Sequence, residues 1–387
     1  MSRLDELIAE LCPDGVEYKS VGEIANISRG KVMSKDFLKE NSGIYPVYSS
    51  QTENNGQLGA ISAYMFDGKY LTWTTDGANA GTVFYREGKF SVTNVCGVID
   101  VNDSNVNVRF LYFVLNREAP SYVNRGMGNP KLMSNVMIKI KVPVPPLEVQ
   151  REIVRILDNF TELTAELQAE LQARKKQYEY YNNILLSFDN AEYKTLEELC
   201  DIVDYRGKTP RKVDDGIFLV TAKNIRKGFI DYDKSKEYIS PEDYDEVMHR
   251  GLPKIGDVLI TTEAPCGNVA QIDNENIALA QRVIKYRPKS NNLNSTFLKY
   301  VLLGKEFQDK LERAATGGTV KGIKGSKLHQ LTIPVPSIEE QEHIVAILDR
   351  FDTLCNDISE GLPAEIEARQ KQYEYYRDKL LTFTQLA

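Results

Sequence analysis

The longest regular pattern along the chain runs from Leu147 to Ser187, a stretch free of proline and glycine. Apolar residues recur there at Ile153, Leu157, Phe160, Leu167, Leu171, Tyr178, Tyr181 and Leu185, with Thr164 and Arg174 as the exceptions. Steps of four and three place these side chains on one stripe of a helix and predict a coiled-coil seam. About 40 residues rising 1.5 Å each make a rod about 60 Å long. A second stripe starts at Ile338 and passes through Ile344, Leu348, Phe351, Cys355 and Ile358. Gly361 and Pro363 interrupt it, and it resumes in shifted phase at Ile366, Arg369, Tyr373, Tyr376, Leu380 and Phe383. Such an insertion is a stutter, which locally unwinds a seam but lets it continue. One rod cannot hide its own stripe, whereas two similar rods can pair antiparallel. The competing expectation makes each rod a core helix of a neighbouring domain. Length weighs against that, because globular helices average three to four turns.

Outside the rods the apolar runs are short, β-branched or aromatic, and broken by Gly, Asn and Asp. Tyr45–Tyr48, Tyr70–Thr74, Gly97–Ile99 and Asp257–Thr261 read as strands. Arg109–Asn116 and Thr296–Arg313 read as helical patches between strands. The expected class is therefore α/β in the broad sense, a mixed α+β arrangement.

The rods belong to a larger repeat. Val142-Pro143-Val144-Pro145, followed by Glu148, Gln150 and Ile153–Phe160, recurs as Ile333-Pro334-Val335-Pro336, followed by Glu339, Gln341 and Ile344–Phe351. Lys176-Gln177-Tyr178-Glu179-Tyr180-Tyr181 recurs without change as Lys371–Tyr376. Fainter matches link Glu17–Ser20 to Glu192–Thr195, Arg29–Lys31 to Arg206–Lys208, Thr74–Asp76 to Thr261–Glu263, and Phe110-Leu111 to Phe297-Leu298. This is a tandem duplication of a long unit rather than a solenoid, whose period is 20–50 residues. Within the first rod a four-residue unit also repeats, as Thr164–Leu167 and Gln168–Leu171.

A chain of 387 residues implies two domains or more. No apolar run approaches the roughly 18–20 residues needed to span a bilayer. Asp5, Glu6 and Glu10 argue against a secretory leader. Five isolated cysteines, without a C-x-x-C pair, suit reduced thiols in a cytoplasmic protein. A net charge of -7 first argues against nucleic acid. Segment counts change that. Residues 15–141 hold 14 Lys and Arg against 11 Asp and Glu, and residues 192–332 hold 23 against 21. The rods and the N-terminal tip hold 11 against 23, so the acidity sits on the scaffold.

Catalytic motifs are sparse. His249, His329 and His343 are not duplicated, and no zinc-ligand spacing, phosphate-binding loop or dinucleotide fingerprint occurs. Asn129-Pro130-Lys131-Leu132 lacks the second proline and the aromatic of a base-methylating tetrad. Asp67-Gly68-Lys69 and Glu87-Gly88-Lys89 each resemble half of a nuclease metal motif. What recurs in both halves is glycine beside Lys, Arg, Asn, Ser and Thr, a chemistry suited to phosphates and base edges. The candidate DNA-binding residues are Arg29, Lys31, Trp73, Thr74, Thr75, Arg125, Asn129 and Lys131 in the first half. In the second they are Arg206, Lys208, Thr209, Lys223, Asn224, Arg226, Thr261, Thr262, Lys321 and Lys324.

With these segments in view, the chain resembles the specificity subunits of type I restriction–modification systems. The resemblance rests on Cys12-Pro13-Asp14-Gly15-Val16-Glu17-Tyr18, the two Pro-Val-Pro segments, the Lys-Gln-Tyr-Glu-Tyr-Tyr blocks and the Ala-Glu-Leu tetrads. It implies two similar target recognition domains separated by two long antiparallel helices, which form a coiled-coil spacer with pseudo-twofold internal duplication. The expected segments are 1–141 (N-terminal segment and first recognition domain), 142–190 (central spacer helix), 191–332 (second recognition domain) and 333–387 (C-terminal spacer helix). It further implies a non-catalytic subunit that reads a bipartite site on double-stranded DNA. Two methyltransferase subunits would dock on spacer residues such as Ile153, Leu157, Phe160, Leu167, Leu171, Tyr178, Tyr181, Ile344, Leu348, Phe351, Tyr373 and Tyr376, and restriction subunits would join for cleavage. S-adenosylmethionine, ATP and magnesium would belong to those partners, and no membrane is involved. The alternatives are a self-contained DNA-modifying enzyme fragment and a coiled-coil adaptor without DNA binding.

Overall fold

The segments that repeat in the sequence pair with one another in space. In the computed structural model, which describes residues 3–126, 128–188, 191–205, 210–280, 282–317, 321–356 and 360–386, the chain forms two compact units. The first is Met1–Gln168 with Ile366–Ala387, and the second is Ala169–Glu365. Each unit therefore takes its helices from both copies of the repeat.

The strands of the first unit are β1 (Glu17–Ser20), β2 (Ala25–Arg29), β3 (Ser42–Tyr48), β4 (Gln57–Ile61), β5 (Phe66–Thr74), β6 (Val83–Val92), β7 (Cys96–Val101) and β8 (Lys141–Val144). Strands β1 and β8 form an antiparallel ribbon that closes this domain, with Glu17 opposite Val144 and Ser20 opposite Lys141. The remaining six make one sheet in the order β2-β7-β5-β6-β3-β4. The helix Val108–Glu118 buries Phe110, Leu111, Phe113, Val114 and Leu115 in the same core. Its N-cap Asn107 accepts from the backbone N–H of Arg109 and Phe110. An N-terminal helix, Arg3–Leu11, adds Leu4, Leu7 and Ile8 to that core; the spacing of these leucines was a legible helical signal that the sequence reading did not use.

The second unit holds β9 (Glu192–Thr195), β10 (Cys200–Asp204), β11 (Lys212–Val213), β12 (Ile217–Val220), β13 (Tyr238–Ile239), β14 (Val258–Thr262), β15 (Cys266–Gln271), β16 (Ile277–Leu279), β17 (Val283–Pro288) and β18 (Thr332–Val335). Strands β9 and β18 repeat the closing ribbon, with Glu192 opposite Val335. The order β10-β17-β14-β15 repeats β2-β7-β5-β6. The elaboration differs, since β11, β13, β12 and β16 form a separate sheet. The expected patch Thr296–Arg313 is two helices, Ser295–Leu303 and Lys305–Ala314, because the chain turns at Gly304.

The first rod is one helix, Leu147–Leu185, and the second is two, Ile338–Asn356 and Leu362–Leu380. The break falls at the Gly361–Pro363 insertion, where a missing amide hydrogen and a glycine weaken helical continuity. In the first unit, Ile153 and Leu157 are buried, and Phe160 stacks on Tyr376 at 5.6 Å and 24°. The C-terminal segment returns to the start of the fold, where Leu386 N–H donates to Val16 O, so these helices run antiparallel. In the second unit, Ile344 and Leu348 are buried, and Tyr181 stacks on Phe351 at 5.6 Å and 28°. Tyr178 also packs on Phe351, and Leu167 and Leu171 are half-buried. Phe160 and Phe351 are equivalent in the repeat, as are Tyr181 and Tyr376. Each copy thus supplies the phenylalanine of one pair and the tyrosine of the other.

Candidate nucleic-acid interface

The loops that carry the candidate residues of the first unit converge at one rim of the sheet. Lys31 bridges Thr93, and its carbonyl accepts from Asn94 N–H. Thr93 N–H donates to Tyr48 O, and its hydroxyl lies 3.0 Å from that of Ser49. Thr75 N–H donates to Val95 O, while Thr75 O accepts from Leu132 N–H. A small hairpin, in which Asn124 and Lys131 face each other, then lies along Asp76. Lys131 reaches within 3.8 Å of Asp76, and Arg125 and Asn129 are exposed beside it. Arg29, at the end of β2, donates from Nε to Ser134 Oγ at 3.2 Å. So Arg29, Lys31, Arg125, Asn129 and Lys131 share a rim with their tips wholly or partly exposed.

The same joint is built in the second unit. Thr262 O accepts from Ile323 N–H, Glu263 faces Gly322, and Gly322 faces Thr316. Lys321 and Lys324, on either side of Gly322 and Ile323, are exposed, and Lys321 pairs with Glu312. Asn268 Nδ2 donates to Ile225 O at 2.8 Å, which ties the loop of Lys223 and Arg226 to β15. Lys223 is exposed, and Arg226 pairs with Asp231 at 3.3 Å. Arg206, Lys208 and Thr209 lie outside the described residues.

Six candidates are corrected by burial. Trp73 is fully buried, and its indole N–H donates to Leu132 O at 2.9 Å, so it supports the hairpin from below. Thr74 and Thr75 are buried too: the first holds Asn79 O, and the hydroxyl of the second lies 2.9 Å from Val95 O. Thr261 Oγ1 accepts from Asn268 N–H at 2.9 Å, and Thr262 Oγ1 donates to Arg282 O at 3.2 Å. Asn224 is closed off, with Nδ2 donating to Asp231 O and Ser235 O, and Oδ1 accepting from Thr221. These groups shape the loops and have no surface to offer DNA. The Thr-Thr-acid repeat was a true structural signal that resembled a binding signal.

A further correction concerns the Arg-Gly-Lys triplets. Arg29 pairs with Gly97 and Asp204 pairs with Ile284, and these are equivalent rungs of the two sheets. Register therefore matches Arg29 with Asp204, and Arg206 stands two residues further on. The two apparent half-motifs for a metal face each other across β5 and β6, with Asp67 opposite Lys89, Gly68 opposite Gly88, and Lys69 opposite Glu87. They are cross-strand charge pairs, Lys69 and Glu87 being 3.7 Å apart. Among the described residues no group of three His, Cys, Asp or Glu could hold a metal ion. Burial pushes the thiols of Cys96 and Cys200 up to about 12, and raises those of Cys12, Cys266 and Cys355, the opposite of an activated nucleophile. No helix among the described residues is long and apolar enough to cross a membrane.

Two mixed α/β recognition domains with duplicated closing ribbons and shared helices define a class of DNA specificity proteins, and the comparisons agree. The family model for the type I restriction modification DNA specificity domain matches residues 13–174 and again 189–368. A type I specificity subunit of Mycoplasma pneumoniae is 34% identical over 376 residues, covering 94% of this chain and 96% of the relative. The EcoR124I/EcoR124II specificity subunit of Escherichia coli is 35% identical over 395 residues, covering 95% and 89%. A crystal structure of the S subunit from M. genitalium shares the fold, with a TM-score of 0.60 at 14% identity over 95% of this chain and 96% of that one. The chain belongs to the type I restriction–modification specificity subunits.

Proposed function

We propose that this chain is the non-catalytic DNA-reading subunit of a type I restriction–modification complex. Each recognition domain reads one half of a bipartite site, and the paired helices hold the half-sites at a set spacing. Two methyltransferase subunits dock on the helices, restriction subunits join them, and the partners carry S-adenosylmethionine, ATP and magnesium. The observation that carries this reading is the common joint at Thr75–Leu132 and Thr262–Ile323, which presents different exposed side chains on the same frame. A constant frame with a variable rim is what two independent readers require. Both recognition segments are only mildly basic in net charge, so the chain alone binds DNA weakly, and its partners supply much of the phosphate clamp.

The test is methylation mapping of DNA from cells that express this chain with its methyltransferase subunit. Exchanging residues 15–141 for those of another family member should change one half-site and keep the other. Adding a third tetrad after Leu171 should lengthen the spacer and leave both half-sites unchanged. A change in both halves, or an unaltered spacer, would overturn independent reading or the ruler.

A further inference from the structure

The first unit's rim carries one loop that the candidate set above does not include. Between β3 and β4 the chain makes a tight turn over Thr52–Gly56. Asn54 and Asn55 both adopt left-handed backbone, with φ of 49° and 52°, and both side chains are exposed. Two successive non-glycine residues in that region are uncommon, since L side chains enter it as single residues. Glycine would take the same conformation without steric cost. Asparagine is among the side chains that enter this region most readily, as in the primed turns of hairpins, and here both amides are exposed and make no packing contact.

The loop stands on a built platform. Gly56 is buried against Arg86, and a Cβ there would sit 3.0 Å from Nη2. Arg86 is 2% exposed, stacked 3.5 Å from the Tyr48 ring centroid and 4.4 Å from that of Phe84. Its Nε donates to Thr72 Oγ1 at 3.1 Å, while Nη1 has no hydrogen-bond partner among the described residues. Ser49 N–H donates to Gly56 O, and Asn79 Nδ2 donates to Thr52 Oγ1 at 3.0 Å. Ser49 also meets Thr93, the partner of Lys31. The loop is thus clamped at both ends beside the cations of the rim. A buried guanidinium beneath it adds positive charge in a place of low dielectric.

We infer that this loop is a base-reading element of the first unit, with Asn54 and Asn55 as specificity-determining residues for a purine, adenine by preference. A carboxamide presents a donor and an acceptor side by side, which matches N7 and the N6 amino group of adenine in the major groove. Both residues lie at the tip of the turn with their side chains exposed. Arg86 acts as a positioning residue beneath them. This assignment rests on the reading of the chain as a DNA specificity subunit.

The experiment maps methylation in DNA from cells expressing this chain with its methyltransferase subunit, in four forms: parental, Asn54→Gly, Asn55→Gly and Asn54→Asp/Asn55→Asp. Glycine keeps the backbone and removes the amide; aspartate keeps the shape and replaces the donor with a second acceptor. Expected is a loss of discrimination of about ten-fold or more at one or two positions of one half-site. The other half-site should stay unchanged. The parental motif persisting in all variants would overturn the assignment. Should a glycine variant melt early, the aspartate pair decides the case. A parental chain that directs no sequence-specific methylation would defeat the specificity reading itself, a result distinct from an unchanged motif.

Discussion

The two recognition domains solve one packing problem in opposite ways. In the first, Trp73 of β5 lies opposite Gly97 of β7, and both are buried. A Cβ on Gly97 would fall 2.2 Å from the indole ring, so the glycine exists to admit the tryptophan. In the second, the equivalent rung pairs Ile260 with Ile284, both fully buried. One very large side chain against none stands where the second domain sets two of middle size, so both rungs are filled. By contrast, the joint between domain and rod is identical. Gln150 donates from Nε2 to Asn105 O and Pro145 O and accepts from Asn107 N–H. Gln341 repeats this with Asn292 O, Pro336 O and Asn294 N–H. Hydrophobic packing tolerates exchange when volume is kept, whereas a buried amide with all its partners satisfied does not. The difference explains why the domains drifted apart while their attachment to the helices stayed the same.

The largest expected effect comes from unbalancing the Trp73 rung. Trp73→Ala should cost about 3–5 kcal/mol by opening a cavity, and Gly97→Ala about 1–3 kcal/mol by overpacking. Trp73→Ala with Gly97→Ala should cost less than the sum, because the second change fills part of what the first vacates. Denaturant unfolding measures all three. Trp73 is the sole tryptophan, so its fluorescence reports the first unit in the Gly97→Ala chain. Strict additivity would break the volume argument. Next in size, Gln150→Ala and Gln341→Ala should each cost about 1–3 kcal/mol, since each takes a buried amide away from three backbone groups that are wholly or partly shielded from water. Amide exchange at Asn107 and Asn294 should quicken in the respective variant. Very unequal costs would show that the two joints are alike in geometry only.

The rods were legible because a helical stripe is set by local spacing, and the Gly361–Pro363 break was legible for the same reason. The strands at Tyr70–Thr74 and Asp257–Thr261 were readable from their β-branched runs. Exposure was not. Thr74, Thr75, Thr261 and Thr262 carry hydroxyls that suit phosphates equally well, and only the sheet reveals that they close loops from within. Trp73 needed knowledge of Gly97, which lies on another strand 24 residues away in sequence. Register was also hidden: the Arg-Gly-Lys triplets align by identity, yet their strands place Arg29 against Asp204. Asn54 and Asn55 escaped notice because an Asn-Asn-Gly turn reads as ordinary loop, and their significance comes from Arg86 beneath it.

The smallest effect concerns a feature that both units share. Ser20 and Glu23 in the first, and Thr195 and Glu198 in the second, form capping boxes at the start of a single helical turn. Each glutamate accepts from the cap residue's backbone N–H and hydroxyl. Side-chain and backbone hydrogen bonds from Ser20 hold Glu23 below the ordinary carboxylate range, and those from Thr195 do the same for Glu198. A folded-state value below the unfolded one means stability that is complete above the ordinary glutamate range. It is lost as pH falls through the lower folded-state value. Glu23→Gln and Glu198→Gln should therefore each lower stability slightly at and above the ordinary glutamate range and leave the acid end nearly unchanged, which flattens the profile between them. Both glutamates are exposed, so the slope is small, and the two variants should flatten it equally. Unfolding curves recorded between pH 3 and pH 7 check this. A flattening confined to one unit would mean that the two boxes, alike in their bonds, differ in how firmly the chain around them is held.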